Sequence, residues 1–174
     1  MNCPHLSRWI LPLAVLTFGP AVAAPAMAAD RWQGLQSLNS VAVEITFSPN
    51  HPDVSVDEVR QRIMDGVKRA TPTPALDIGS ADKLHLLIAV RQYSSSDLRG
   101  YYLPLSQAYG IGPIRLTVDR PAAISGLPTP VWATVWQTER LAKGPWRSSA
   151  YEVLELVDEV IASFLADYRR ALGQ

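Results

Sequence analysis

The stretch that decides the fold is Ser149–Leu172, SAYEVLELVDEVIASFLADYRRAL. Val153, Leu156, Val157, Val160, Ile161, Phe164, Leu165 and Tyr168 recur at i, i+3, i+4 and i+7, the repeat that draws one apolar stripe down an α-helix. Ser149 stands three residues before Glu152, the spacing of a capping box. Glu152 and Glu155 fall near the positive end of the helix dipole and Arg169 and Arg170 near its negative end, and Gly173 stops the helix. A helix this apolar on one side needs a sheet or a second helix beneath it.

The layer beneath is legible upstream. Val41, Val43, Ile45 and Phe47 alternate with Ala42, Glu44, Thr46 and Ser48, the mark of a half-buried strand. Ser48–Asp53 is turn-rich, and Ser55 with Glu58 opens a second helix whose stripe is Val56, Val59, Ile63, Val67 and Ala70. The prolines Pro72 and Pro74 end that helix. A brief extended piece around Leu76 and Ile78 lies in the connection to Leu84–Tyr93, an apolar run of strand length that suits a central strand. Tyr101–Leu105, which contains Pro104, is either an edge strand or a loop. Beyond Gly110 and Gly112, Ile114, Leu116 and Val118 alternate with Arg115, Thr117 and Asp119. Val131–Glu139 is the last strand, with Val131, Ala133 and Val135 on one face and Trp132, Thr134 and Trp136 on the other.

The order is β-α-β-β-β-α. Two strands polar on one side argue against helices on both faces, so the chain predicts an α/β two-layer sandwich: a mixed sheet of four or five strands with both helices on one face and the other face bare. The first helix would cross between parallel strands, and the later strands would run antiparallel.

Residues 1–28 have the pattern of a signal peptide: Arg8, an apolar run from Trp9 to Phe18, a Gly19-Pro20 break and a small-x-small site at Ala26-Met27-Ala28. The apolar run is shorter than the ~20 residues of a spanning helix, and no later stretch qualifies, so the reading is a soluble mature chain in the periplasm or outside the cell. Residues 29–40 form a lead-in, either a helical turn or an ordered extension, and 41–172 one α/β domain. Cys3 is the only cysteine and lies within the leader, which predicts no disulfide and no lipid anchor. Cleavage would remove one charged side chain, leaving 15 basic residues against 16 acidic, a balance without a nucleic-acid footprint or a polybasic membrane patch.

A leader, one α/β domain in this order and a closing helix reading Val157-Asp158-Glu159-Val160 through Phe164-Leu165-Ala166-Asp167-Tyr168 resemble small exported bacterial proteins of unknown function. The architecture is similar to that of the lipopolysaccharide-assembly lipoprotein family and of the N-terminal domain of Tol-system translocation proteins. The resemblance implies an envelope protein. It rests on element order and carries over no site residue; the assembly lipoproteins are lipidated on a cysteine this chain lacks outside its leader.

Residues of catalytic type are scattered. His51, within His51-Pro52-Asp53, is either half of a metal site or a turn residue, and His85 lies amid leucines in a strand. Glu152, Glu155, Asp158 and Glu159 step along the helix side opposite the stripe, where carboxylates are solvated. Ser94, Ser95 and Ser96 have no adjacent base, and Gly110-Ile111-Gly112-Pro113 has no helix after it to cradle a phosphate. No cofactor or metal is indicated. The aromatic residues are more informative: Trp132 and Trp136 would lie together on the bare face beside Arg115 and Thr117, with Tyr101, Tyr102 and Trp146 as candidate neighbours, an exposed patch suited to binding. The alternatives are that both tryptophans point into the core or that a loop covers them. The functional expectation is a non-enzymatic exported envelope protein that binds a partner, against a cell-envelope hydrolase assembled from scattered Asp, Glu and His.

Overall fold

The computed structural model describes residues 32–94, 97, 108–123, 125 and 129–174. A 3-10 turn, Gln33–Leu35, leads into β1 (Ser40–Phe47), followed by α1 (Val56–Arg69), β2 (Ala75–Leu76), β3 (Lys83–Ile88), β4 (Arg91–Tyr93), β5 (Tyr109–Ala122), β6 (Val131–Pro145), a second 3-10 turn (Trp146–Ser148) and α2 (Ser149–Ala171). The leader assigned to 1–28, the first residues of the lead-in, the candidate strand Tyr101–Leu105 and most of the loop before β6 lie outside the described residues.

The sheet is mixed, and both helices lie on one side of it. β2 and β3 flank β1 in parallel, β5 pairs antiparallel with β3, and β6 pairs antiparallel with β5 along its whole length. α2 packs on β5 and β6, while α1 packs on α2 and β1. Among the described residues no element covers the other face, so the expected sandwich with one bare face is the observed architecture. The described residues carry six strands because two short pieces, β2 and β4, flank the longer ones. β4 exists because the apolar run Leu84–Tyr93 is interrupted at Ala89-Val90. There β5 comes close enough for Ala89 N–H to donate to Pro113 O at 2.9 Å, and a Cβ on Gly112 would collide with the Ala89 carbonyl.

The core lies between sheet and helices. Leu84, Leu86 and Ile88 of β3 and Ile114, Leu116 and Val118 of β5 meet Val153, Val157, Val160, Ile161, Phe164 and Tyr168 of α2, all buried. Leu35 and Leu38 of the lead-in are buried with them, and Tyr168 Oη donates to Leu38 O at 2.9 Å, tying the lead-in to the last turns of α2. Ser55 caps α1 as its spacing predicts, its Oγ accepting from Glu58 N–H at 3.0 Å.

The capping box expected at Ser149 does not form. The chain enters α2 through a 3-10 turn, so the cap residue, Ser148, already has helix-like dihedrals and its side chain does not cap the helix. Ser149 Oγ instead donates to Trp146 O at 2.6 Å, and Glu152 Oε1 accepts the Lys143 N–H at 2.8 Å, sealing one amide of β6.

Candidate functional site

The bare face is assembled by register. Strands β1, β3, β5 and β6 align Ala42, Lys83, Asp119 and Thr134 in one row, Glu44, His85, Thr117 and Gln137 in the next, and Thr46, Leu87, Arg115 and Glu139 in a third. Side chains opposite one another in a ladder are close enough to bond. Lys83 Nζ pairs with Glu44, and Arg115 reaches Glu139 Oε2 through both Nε and a terminal nitrogen at 2.7 Å. Thr46 Oγ1 lies 2.9 Å from His85 Nε2, and His85 Nδ1 lies 3.9 Å from Asp119 Oδ2. Asp119 also accepts from the hydroxyls of Thr117 at 3.0 Å and Thr134 at 2.6 Å.

Trp132 sits on this face, 53% exposed, with Lys83 Nζ 4.6 Å from its ring centroid. That position gives the indole a cation–π contact, worth about 0.5–1 kcal/mol at an exposed site, and restrains the ring without covering it. Trp136 does not share the face. It is 3% exposed, its ring meets Phe164 edge-on at 5.4 Å, and its Nε1–H donates to Asp167 Oδ2 at 3.1 Å.

The expectation that the two indoles lie together is corrected by a β-bulge. Val118 faces Trp136 and Asp119 faces Thr134, so Val135 is an extra residue with no partner on β5. One extra residue exchanges the two faces for everything beyond it. Before the bulge Trp132 and Thr134 lie on the bare side. After it Trp136 and Ala142 are buried under α2, and Arg140 donates to Glu159 Oε2 at 3.1 Å. The signal was present as a change of phase. Odd positions are apolar through Val131, Ala133 and Val135, then polar at Gln137, Glu139 and Lys143, with Leu141 as the exception.

The remaining candidates separate. Trp146 is half-buried in the turn before α2, where a Cβ on Gly110 would touch its ring, so it stands on the helix side. Tyr101 and Tyr102 lie outside the described residues. His51 stacks on Phe47 at 4.3 Å, with Nδ1 2.6 Å from Pro52 O. Of the acids on α2, Glu152 holds the end of β6, Asp158 pairs with Arg62 of α1, and Glu159 holds Arg140. Ser94 donates from both N–H and Oγ to Asp97 Oδ2, and these bonds hold the Asp97 carboxyl below its usual value. Among the described residues no three of His, Cys, Asp and Glu are grouped as metal ligands.

Several grooves among the described residues have partly apolar floors. One of about 230 Å³ is lined by Val41, Val43, Met64, Leu76 and Ile78, and one of about 410 Å³ between the helices by Gly66, Ile161 and Leu165. Neither contains His51 or His85. The residues that the sequence did not single out, Lys83, Asp119, Thr134 and Glu139, become neighbours only through cross-strand register.

Comparison with known proteins gives little sequence likeness. No family model matches, and no curated protein matches. Among solved structures the chain is similar to the rare lipoprotein B from Shewanella oneidensis, at 11% identity and a TM-score of 0.29, covering 76% of this chain and 93% of that one. It is also similar to a "putative lipoprotein" from Caulobacter crescentus, at 17% identity and a TM-score of 0.26, covering 79% of this chain and 96% of that one. Among the described residues no helix is long and apolar enough to cross a membrane.

Proposed function

We propose that this is an exported, non-enzymatic protein of the bacterial envelope that binds a protein partner on its bare sheet face, with Trp132 as the anchor. The observation that supports this is the half-exposed indole of Trp132, restrained by Lys83 on a face where Glu44 with Lys83 and Arg115 with Glu139 are paired across the strands. An aromatic ring with little left to order, set among satisfied polar groups, is the usual form of an interface anchor. Export rests on the leader pattern of residues 1–28, and the envelope assignment on that pattern together with the element order shared with the assembly lipoproteins.

The test is capture from the native envelope with the wild-type chain and with Trp132→Ala, whose fold is checked by circular dichroism. A protein retained by the wild type and released by the variant supports the reading. Identical retention by both, or a retained small molecule with no protein, overturns it. The opposing reading is a hydrolase using the Thr46–His85–Asp119 array, which has the order hydroxyl, imidazole, carboxylate. Ester hydrolysis that disappears in His85→Asn would replace the binding reading with that one.

A further inference from the structure

We infer that the edge of β6, which pairs with no strand but β5 among the described residues, pairs with β6 of a second copy, antiparallel and centred on Leu141. Which backbone groups of β6 point outward is fixed at Lys143. Lys143 faces Ile111 of β5, yet its N–H is given to Glu152, so Lys143 directs its backbone away from β5. In an antiparallel ladder this direction alternates, so Leu141, Glu139 and Gln137 also point outward. Pro113, the partner of Leu141 on β5, agrees: its carbonyl accepts from Ala89, on the far side from β6.

The outward window is short and bounded. Val135 and its bulge close one end, with the lead-in turn so near that a Cβ on Gly34 would collide with the Val135 carbonyl. Glu152 closes the other end at the Lys143 amide. A long bare edge invites open-ended association, whereas a bounded one fits a single closed contact.

The window is self-complementary. In an antiparallel pair centred on Leu141, each Glu139 lies opposite the Lys143 of the other copy, and the two Leu141 side chains meet on the bare face. Leu141 is 62% exposed in the single chain. Both Arg115 contacts to Glu139 fall on Oε2, which leaves Oε1 for the incoming lysine. The backbone bonds available are the two exchanged between the Leu141 residues and one from each Glu139 N–H to the opposite Lys143 carbonyl. Shifting the centre to Glu139 would oppose two carboxylates, and only the centre at Leu141 sets each Glu139 opposite a Lys143.

The experiment is sedimentation equilibrium of the purified chain over a range of concentrations, with variants that address the register. The wild type is expected to dimerise with increasing concentration. Lys143→Glu sets like charges opposite each other twice and should weaken the dimer roughly tenfold, and Glu139→Lys with Lys143→Glu together should restore it. Leu141→Pro removes an outward N–H that β5 does not use, so it should leave a folded monomer. In a Cys3→Ser background, Leu141→Cys should give a disulfide-linked dimer under oxidation, because Cα atoms of bonded antiparallel pairs stand about 5.5 Å apart, within disulfide range. A monomer at every concentration overturns the inference. So does a dimer that survives Lys143→Glu unchanged, and if Leu141→Pro fails to fold, the charge variants and the cysteine decide.

Discussion

Trp132 and Trp136 are four residues apart on one strand and meet opposite surroundings, which makes them the most sensitive reporters of the residue-scale reading. Trp136 touches Phe164 and satisfies its indole N–H with Asp167, itself buried and held by Arg170 at 3.3 Å. A buried aromatic with its polar atom paired combines core packing with a fixed orientation. Trp132 has solvent on one side and an ammonium on the other. The two should therefore separate in fluorescence. Trp136→Phe is expected to remove emission that is blue-shifted and protected from iodide, and Trp132→Phe emission that is red-shifted and quenched. Finding both losses quencher-protected would mean that Trp132 is covered.

At the scale of elements, the division between what was legible and what was not follows from period and phase. The stripe of α2 and the alternation of β1 and β5 are local patterns, and Val153, Val157, Val160, Ile161, Phe164, Leu165 and Tyr168 are buried where the 3.6-residue repeat puts them. The buried stripe is wider than its apolar list: Leu154 and Asp167, three residues from Val157 and Phe164, are buried as well, Asp167 where Trp136 reaches it from β6. The bare face was legible from the polar alternation, but its cross-strand rows were not, because register depends on partners far along the chain. The bulge is intermediate: its phase change is written in β6, while the strand it opposes is not. Deleting Val135 removes the extra residue and sets Thr134 next to Trp136, so both halves of β6 keep their faces in a regular ladder, whereas deleting Gln137 turns either Trp136 or the buried Ala142 to the wrong face. The expected result of the Gln137 deletion is a loss above about 4 kcal/mol or failure to fold, whereas the Val135 deletion, which keeps the faces, should cost far less. Denaturant unfolding followed by circular dichroism distinguishes them, and equal stability of the two variants would show that the bulge does not set the faces.

For the molecule as a whole, closure runs through Tyr168. Its phenol joins the last turns of α2 to the lead-in at Leu38, and Leu35 and Leu38 then complete the core that β1, β3 and β5 begin. Replacing it with phenylalanine keeps the ring and leaves the Leu38 carbonyl unpaired in a buried place, a cost of about 1–3 kcal/mol. The same contact makes stability depend on alkaline pH. Burial raises the Tyr168 pKa above the ordinary tyrosine value, since a buried phenolate loses its hydration. The unfolded chain therefore releases this proton at lower pH than the folded one. The contribution of neutral Tyr168 is fully present below about pH 10 and declines as pH rises through the folded value. Tyr151 also ionises late, because of its hydrogen bond and charge contact with Glu155, but it is exposed and a Tyr151→Phe control isolates it. Denaturant midpoints of the Tyr151→Phe chain should fall as the solution is made alkaline through this range, and the fall should be shallower when Tyr168→Phe is added. Parallel curves would mean that the Tyr168 phenol is not buried between α2 and the lead-in.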